Sequence, residues 1–274
     1  MSVVKPHVRV RQANSTNATV ELPFYFHIIL AENNHTTDFI TDELLTQQLD
    51  ILNAGFADMG YKFNLIETTR TVNDTWFYNA TQYGPIEKDM KTALHKGDRK
   101  TLNTYVMGTW DASISAWSSL PMDVGTPEWT QEAWIIDDGI VLHNSVLLNG
   151  SNAYGWNKGK SLVHEAGHWV GLYHTFSGGC EFNFDYVDDT PLEAVPEASI
   201  DALGGCPIGR DSCPDVPGLD PIHNFMDYCW EEQGLIEPRV NTENLLYSYY
   251  IRGTGSPTLL LLMPIYDELH SLYK

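Results

Sequence analysis

Ser161–His174 reads Ser-Leu-Val-His-Glu-Ala-Gly-His-Trp-Val-Gly-Leu-Tyr-His. His164 and His168 stand four residues apart, so on a helix their imidazoles share one face, one turn apart. Two ring nitrogens placed in this way reach a single Zn²⁺ at about 2.0–2.1 Å. Glu165, beside the first of them, is positioned to orient and deprotonate an attacking water. Gly171 lets the chain leave the helix through a backbone conformation that is costly for other residues. His174 then follows three residues later as the third imidazole. Three protein ligands leave one position open, which is the arrangement of a catalytic zinc. The competing reading is a solvent-facing helix with three unrelated histidines. It requires the pattern His-Glu-x-x-His-x-x-Gly-x-x-His to be an accident.

The elements that hold this helix are legible from periodicity. Phe24–Leu30 is an aromatic and β-branched run that reads as a buried strand. Thr41 is a helix N-cap with Asp42 and Glu43 in the first turn, and Leu45, Leu49, Leu52 and Phe56 recur at helical spacing until Gly60. Lys62–Glu67 alternates as a strand. Ile86, Met90, Ala93 and Leu94 mark a second amphipathic helix that ends at Gly97. Leu102–Met107 and Gly139–Leu142 are further strands. This β-α-β-α-β order predicts a twisted sheet with helices packed against it. Residues 1–20 are expected to form a flexible, polar arm and 21–274 a single catalytic-size domain. From Gly178 to Glu237 the chain is rich in Gly, Pro, Asp and Cys with little periodicity, and it needs something other than a core to hold it.

Composition narrows the function. The 274 residues carry 16 basic and 36 acidic side chains, a formal charge of −20. Nucleic-acid binders need a basic face to displace counterions, and anionic membrane surfaces repel an acidic protein, so neither partner is expected. No apolar run approaches the ~20 residues of a membrane span. Asn-x-Ser/Thr sequons at Asn14, Asn17, Asn34, Asn73, Asn79 and Asn149 are candidate glycan sites of a secreted glycoprotein. Cys180, Cys206, Cys213 and Cys229 are an even number within one loop-rich stretch, which suggests two disulfides with three connectivities open. A zinc knuckle is the rival use of these cysteines, but the stretch has no Cys-x-x-Cys pair. The opening Met-Ser-Val-Val-Lys-Pro has no apolar signal core, so the secretion expectation rests on the sequons and cysteines.

The long histidine pattern is the metzincin signature, and the chain resembles that metalloprotease clan. Asn224-Phe225-Met226-Asp227-Tyr228 fits the clan's methionine turn, with Met226 as a soft floor beneath the imidazoles. The motif through Thr175-Phe176, then Gly-Gly-Cys, Val-Asp-Asp-Thr-Pro, Gly-Cys-Pro, Asp-Ser-Cys-Pro and Asp-Pro-Ile-His-Asn-Phe-Met-Asp-Tyr, is similar to the pappalysin family. Upstream, Gln48–Phe63, Lys91–Asn103 and Asn157–Lys160 are also similar, so the likeness spans about residues 22–228.

The resemblance implies an α+β, metzincin-like catalytic domain. A twisted mixed sheet with a backing helix and an active-site helix forms an N-terminal subdomain at 21–171. A loop-rich C-terminal subdomain follows at 172–274. It implies a secreted, monomeric zinc endopeptidase that binds protein or peptide substrate in extended form along an edge strand, expected within Ser113–Met122. Tyr228 matches a family tyrosine that supports the oxyanion. Asp185, Val187 (through its carbonyl), Thr190 and Glu193 match family calcium ligands; the same residues also read as a solvated acidic loop. Disulfides would pair Cys180 with Cys213 and Cys206 with Cys229, although Cys229 comes several residues earlier than its family counterpart. After Tyr228 the likeness stops, so 229–274 is atypical. Asn241–Arg252 and Pro264–Tyr273 are its helix candidates, and Glu232 reads as a surface carboxylate, with an acidic lining of the S1′ pocket that favours basic side chains as the alternative. A catalytically inactive secreted zinc-binding protein on the same scaffold is the alternative, and Glu165 argues against it because it has no structural duty there.

Overall fold

The computed structural model describes residues 19–108, 115–121, 135–152, 155–185, 187, 190–195 and 206–229. Asn14, Asn17, Glu232 and the two C-terminal helix candidates lie outside the described residues. The strands are β1 (Val20–Leu30), β2 (Tyr61–Val72), β3 (Leu102–Met107), β4 (Ala116–Ser118) and β5 (Ile140–His143). The helices are α1 (Asp42–Phe56), α2 (Asp74–Asn79), α3 (Pro85–Leu94) and α4 (Lys160–Trp169). β1 starts at Val20, inside the stretch read as an arm, and pairs from its first residue with Tyr61 of β2.

The five strands form one sheet in the order β2-β1-β3-β5-β4. The first four run parallel, and β4 lies antiparallel to β5 at the edge. β4 falls within the window expected for the edge strand. β3 is buried at every position, as a central parallel strand covered on both faces must be. Leu22, Phe24, Phe26 and Ile28 of β1 face one core, which they share with Leu45, Leu52 and Phe56 of α1 and Leu162, Val163, Ala166 and Trp169 of α4. The opposite face, with Ile29, Tyr105, Trp117 and Val141, packs on Phe77 and Met90 from α2 and α3. The backing helix and the motif helix therefore share one side of the sheet.

Local sequence explains the helix ends. Thr41 Oγ1 accepts from the N–H of Leu44 at 3.1 Å, which caps α1. A 3₁₀ turn at Ala57–Met59 and Gly60, at φ +70°, carry the chain into β2. Pro85 opens α3 where a missing N–H costs nothing. The helices α1 and α4 approach so closely at Gly55 that a Cβ there would meet Val163 Cγ1 at 2.6 Å. Gln48 reinforces the contact from a fully buried position. Its amide donates to the carbonyl of Gly159 at 2.7 Å and its oxygen accepts from the N–H of Leu148 at 3.0 Å.

Candidate active site

α4 begins after Gly159 and carries His164, Glu165 and His168. It ends in a Schellman turn: the N–H of Leu172 reaches the carbonyl of Gly167 at 2.9 Å and that of Gly171 reaches His168 at 2.8 Å. Gly171 sits at φ +101°, the left-handed conformation for which its lack of a Cβ suits it. The reversal turns the chain so that His174 comes back to the helix.

The three imidazoles then meet nitrogen to nitrogen. The Nε2 atoms of His164 and His168 are 3.1 Å apart, those of His164 and His174 3.2 Å, and those of His168 and His174 3.0 Å. His164 Nδ1 lies 2.6 Å from the carbonyl oxygen of Phe225, and His168 Nδ1 lies 2.8 Å from that of Leu172. A carbonyl only accepts, so in the neutral ring each Nδ1 holds the proton and each Nε2 turns a lone pair inward. Lone pairs facing one another at this distance repel unless a cation sits among them, and bonds of about 2.0–2.1 Å from one ion span the spacing. The three form a set able to hold a metal ion. Burial, with the neighbouring imidazoles, holds His164 at about 3 and His174 at about 2, and burial lowers His168. All three are therefore neutral near pH 7, as ligands must be.

Glu165 is buried beside them, and desolvation raises its carboxyl to about 8. Met226 lies directly beneath the helix, where a Cβ on Gly167 would strike its sulfur. The turn that carries it is fixed by Asn224, whose Oδ1 accepts from the N–H of Met226 at 2.9 Å. The carbonyl of Met226 in turn takes the N–H of Thr175 at 3.1 Å. Tyr228, partly exposed, stands over the histidines, its ring 4.7 Å from that of His174, 5.6 Å from His164 and 4.8 Å from Phe176. The residues read from the sequence as zinc ligands, base, turn methionine and tyrosine are thus brought together by α4, the Gly171 reversal and the 224–228 turn.

Further out, Cys180 pairs with Cys213 and Cys206 with Cys229, so Cys229 reaches its partner despite its early position. Of the expected calcium set, Asp185 Oδ1 accepts from the N–H of Val187 at 2.9 Å. The Val187 carbonyl takes the side-chain amide of Asn183 at 2.7 Å and the N–H of Thr190 at 3.3 Å. Glu193 is fully buried, paired with Arg210 and accepting from Thr175 Oγ1 at 3.0 Å; Arg210 also contacts Asp220 at 3.0 Å. Among the described sequons, Asn79 and Asn149 are exposed, Asn73 is half-buried, and the amide of Asn34 donates to the Tyr78 hydroxyl at 2.7 Å.

Two carboxylates around the site escaped the sequence reading. Asp138 accepts from Trp169 Nε1 at 3.1 Å and from Ser119 Oγ at 2.8 Å, which joins the end of α4 to the chain leaving β4. Glu87 accepts from Trp117 Nε1 of β4 at 2.9 Å and pairs with Lys91 at 2.7 Å, both buried. The second left a signal: Glu87 and Lys91 are charges spaced four apart beside Met90 on the buried face of an amphipathic helix.

A family profile described as "Peptidase_M43: Pregnancy-associated plasma protein-A" matches residues 98–233. An extracellular metalloprotease of Colletotrichum graminicola is 38% identical over 237 residues, which is 85% of this chain and 77% of the relative. One from Pyricularia oryzae is 42% identical over 212 residues, 76% of this chain and 69% of the relative. Among solved structures, mirolysin in complex with a compound superposes with a TM-score of 0.64 at 20% identity, covering 86% of this chain and 95% of that one. Mature mirolysin of Tannerella forsythia, in complex with a cleaved peptide, gives 0.62 at 21%, over 86% and 94%. At those identities the likeness is one of fold, a mixed sheet with helices, and that fold is the metzincin one. The fungal relatives carry the rest: the chain is a metalloendopeptidase and belongs to the pappalysin family.

Proposed function

We propose that the chain is a secreted zinc endopeptidase in which His164, His168 and His174 hold the metal, Glu165 is the general base and Tyr228 the oxyanion donor. The observation that carries this reading is the convergence of three neutral Nε2 atoms, two of them fixed by carbonyls on Nδ1, beside a buried carboxyl. The metal, when bound, supplies Lewis acidity toward the scissile carbonyl and the attacking water. Glu165 takes the proton from that water and passes it to the leaving amine, a transfer suited to a carboxyl whose surroundings raise its proton affinity. The Tyr228 phenol, standing over the histidines, donates to the oxygen on which charge develops. β4, the edge strand, pairs with an extended peptide.

The extracellular names of the relatives, the paired cysteines and the exposed sequons support secretion. No helix among the described residues is long and apolar enough to cross a membrane. The reading takes 21–274 as one monomeric catalytic domain. It also includes calcium at Asp185, Val187, Thr190 and Glu193, with Glu193 shared with Arg210. Added calcium is then expected to raise the Tm of chelator-treated protein that has been reloaded with zinc; an unchanged Tm removes the ion.

The test of catalysis is elemental analysis alongside casein cleavage with and without chelator. One zinc per chain and chelator-sensitive cleavage are expected. Glu165→Ala is expected to keep the zinc and to lose at least about 10³-fold in kcat. Cleavage retained by that variant would take Glu165 out of the reaction.

A further inference from the structure

Tyr228 is 42% exposed, so enclosure in a core does not set its place over the histidines. Its ring packs on those of His174 and Phe176, and its backbone is held on both sides. Before it, Asn224 Oδ1 takes the N–H of Met226 at 2.9 Å, and Asp227 Oδ1 takes the N–H of Tyr228 itself at 2.6 Å. After it comes Cys229, half-buried and bonded to the buried Cys206. The second oxygen of Asp227 lies against Cys229 Sγ and 3.9 Å from Cys206 Sγ. Carboxyl and bridge thus pack as one unit around the Tyr228 backbone.

The far end of the bridge is firmly placed. Just after Cys206, a turn closes with the N–H of Arg210 on the Pro207 carbonyl at 3.0 Å, and Arg210 pairs with Glu193 and Asp220. Glu193 accepts from Thr175 Oγ1 at 3.0 Å. Thr175 directly follows His174, and its N–H reaches the carbonyl of Met226 at 3.1 Å. The bridge therefore closes a circuit in which the residue after Tyr228 and the residue after His174 are tied to one buried ion cluster. A donor aimed at a developing charge works only when held within about 0.5 Å of its position.

We propose that Cys229 is a positioning residue: bonded to Cys206, it holds the Tyr228 hydroxyl where the oxyanion forms. The inference rests on the oxyanion role read for Tyr228 above. The other bridge, Cys180–Cys213, closes the longer loop, 33 residues against 23, and has no such neighbour.

The test uses the full chain with zinc bound and a fluorogenic peptide. The variants are the pair Cys206→Ala with Cys229→Ala, the pair Cys180→Ala with Cys213→Ala, and Tyr228→Phe, alone and combined with the first pair. Tyr228→Phe is expected to lower kcat about 10²-fold with KM within about two-fold. Removing Cys206–Cys229 should keep one zinc per chain and KM within about two-fold, and should lower kcat about ten-fold. In the Tyr228→Phe background the same removal should cost nothing further, because the group it positions is gone. Removing Cys180–Cys213 should lower Tm at least as much, as the longer loop predicts, with kcat within about two-fold. Equal kcat losses from the two bridges, or a further ten-fold loss in the Tyr228→Phe background, would make the bridge merely structural and overturn the proposal. So would an unchanged kcat, or loss of zinc or of folded protein, when Cys206–Cys229 is removed. Wild-type kcat in Tyr228→Phe would instead strike the oxyanion role, and this inference with it.

Discussion

His27 is fully buried at the centre of the sheet, with Thr69 Oγ1 at 2.9 Å from Nδ1 and Asn103 Oδ1 at 3.0 Å from Nε2. Asn103 Oδ1 also accepts the N–H of Lys96, so it takes a proton from His27 Nε2 and the ring is neutral. Burial lowers its pKa from 6.5 to about 4, against a smaller opposing effect of the Asn103 hydrogen bond. The unfolded chain therefore binds more protons than the native one between those values. Stability is full above about pH 6.5 and is lost as pH falls toward 4, by up to about 3 kcal/mol from this group. Urea melts at pH 7 and pH 4.5 should show wild type losing more stability than His27→Gln; equal losses would exclude the residue as a source. Residues of this kind are hard to read from sequence. Nothing near His27 in the chain announces Asn103, 76 positions away. The zinc-type histidines differ because their spacing within fourteen residues is itself the geometry.

At the scale of elements, Asp138 is the joint between the motif helix and the edge strand. It is 1% exposed and serves Trp169 at the end of α4 and Ser119 beyond β4. An indole N–H can only donate, so Asp138→Asn sets an amide donor or a weaker acceptor against it. A loss of about 1–3 kcal/mol in unfolding free energy is expected, read as a shift of the urea midpoint. No shift would mean that water replaces the carboxylate. Legibility also varies by element. α1 and α3 are long enough to show a helical period and carry Thr41 and Pro85 as start signals. α2 spans six residues, under two turns, and is announced only by Asn73, whose side chain caps it. β2 extends to Val72, well past the expected Glu67, because its outer half lies at the sheet edge and lacks an alternating buried face. β4, three residues long, was legible only through the family resemblance, since so short a strand has no period of its own.

Across the whole molecule, two regions are held together by different means. The sheet and the helices α1 to α4 rest on two apolar cores, whereas the described chain after α4 has no helix or strand. It is secured by Leu172 and Met226, which join the first core, by the Arg210 ion pairs, by scattered buried residues such as Phe176 and Ile222, and by the disulfides. Those disulfides interleave: Cys206 lies between Cys180 and Cys213, and Cys213 lies between Cys206 and Cys229. Every peptide bond from Cys180 to Cys229 is thus enclosed by at least one covalent loop. Side-by-side pairing of the same cysteines would leave a stretch between the loops unenclosed. An endopeptidase meets copies of itself as substrates, and its loop-rich half offers the backbone most open to attack. A single nick anywhere in that span leaves the turn bearing Met226 and Tyr228 bound to the half that bears the three histidines. Aged, nicked enzyme should therefore run as one band on a non-reducing gel, separate into fragments when reduced, and retain most of its activity before reduction. The crosslinks that hold this loop-rich region are thus expected to give the enzyme a tolerance of self-digestion.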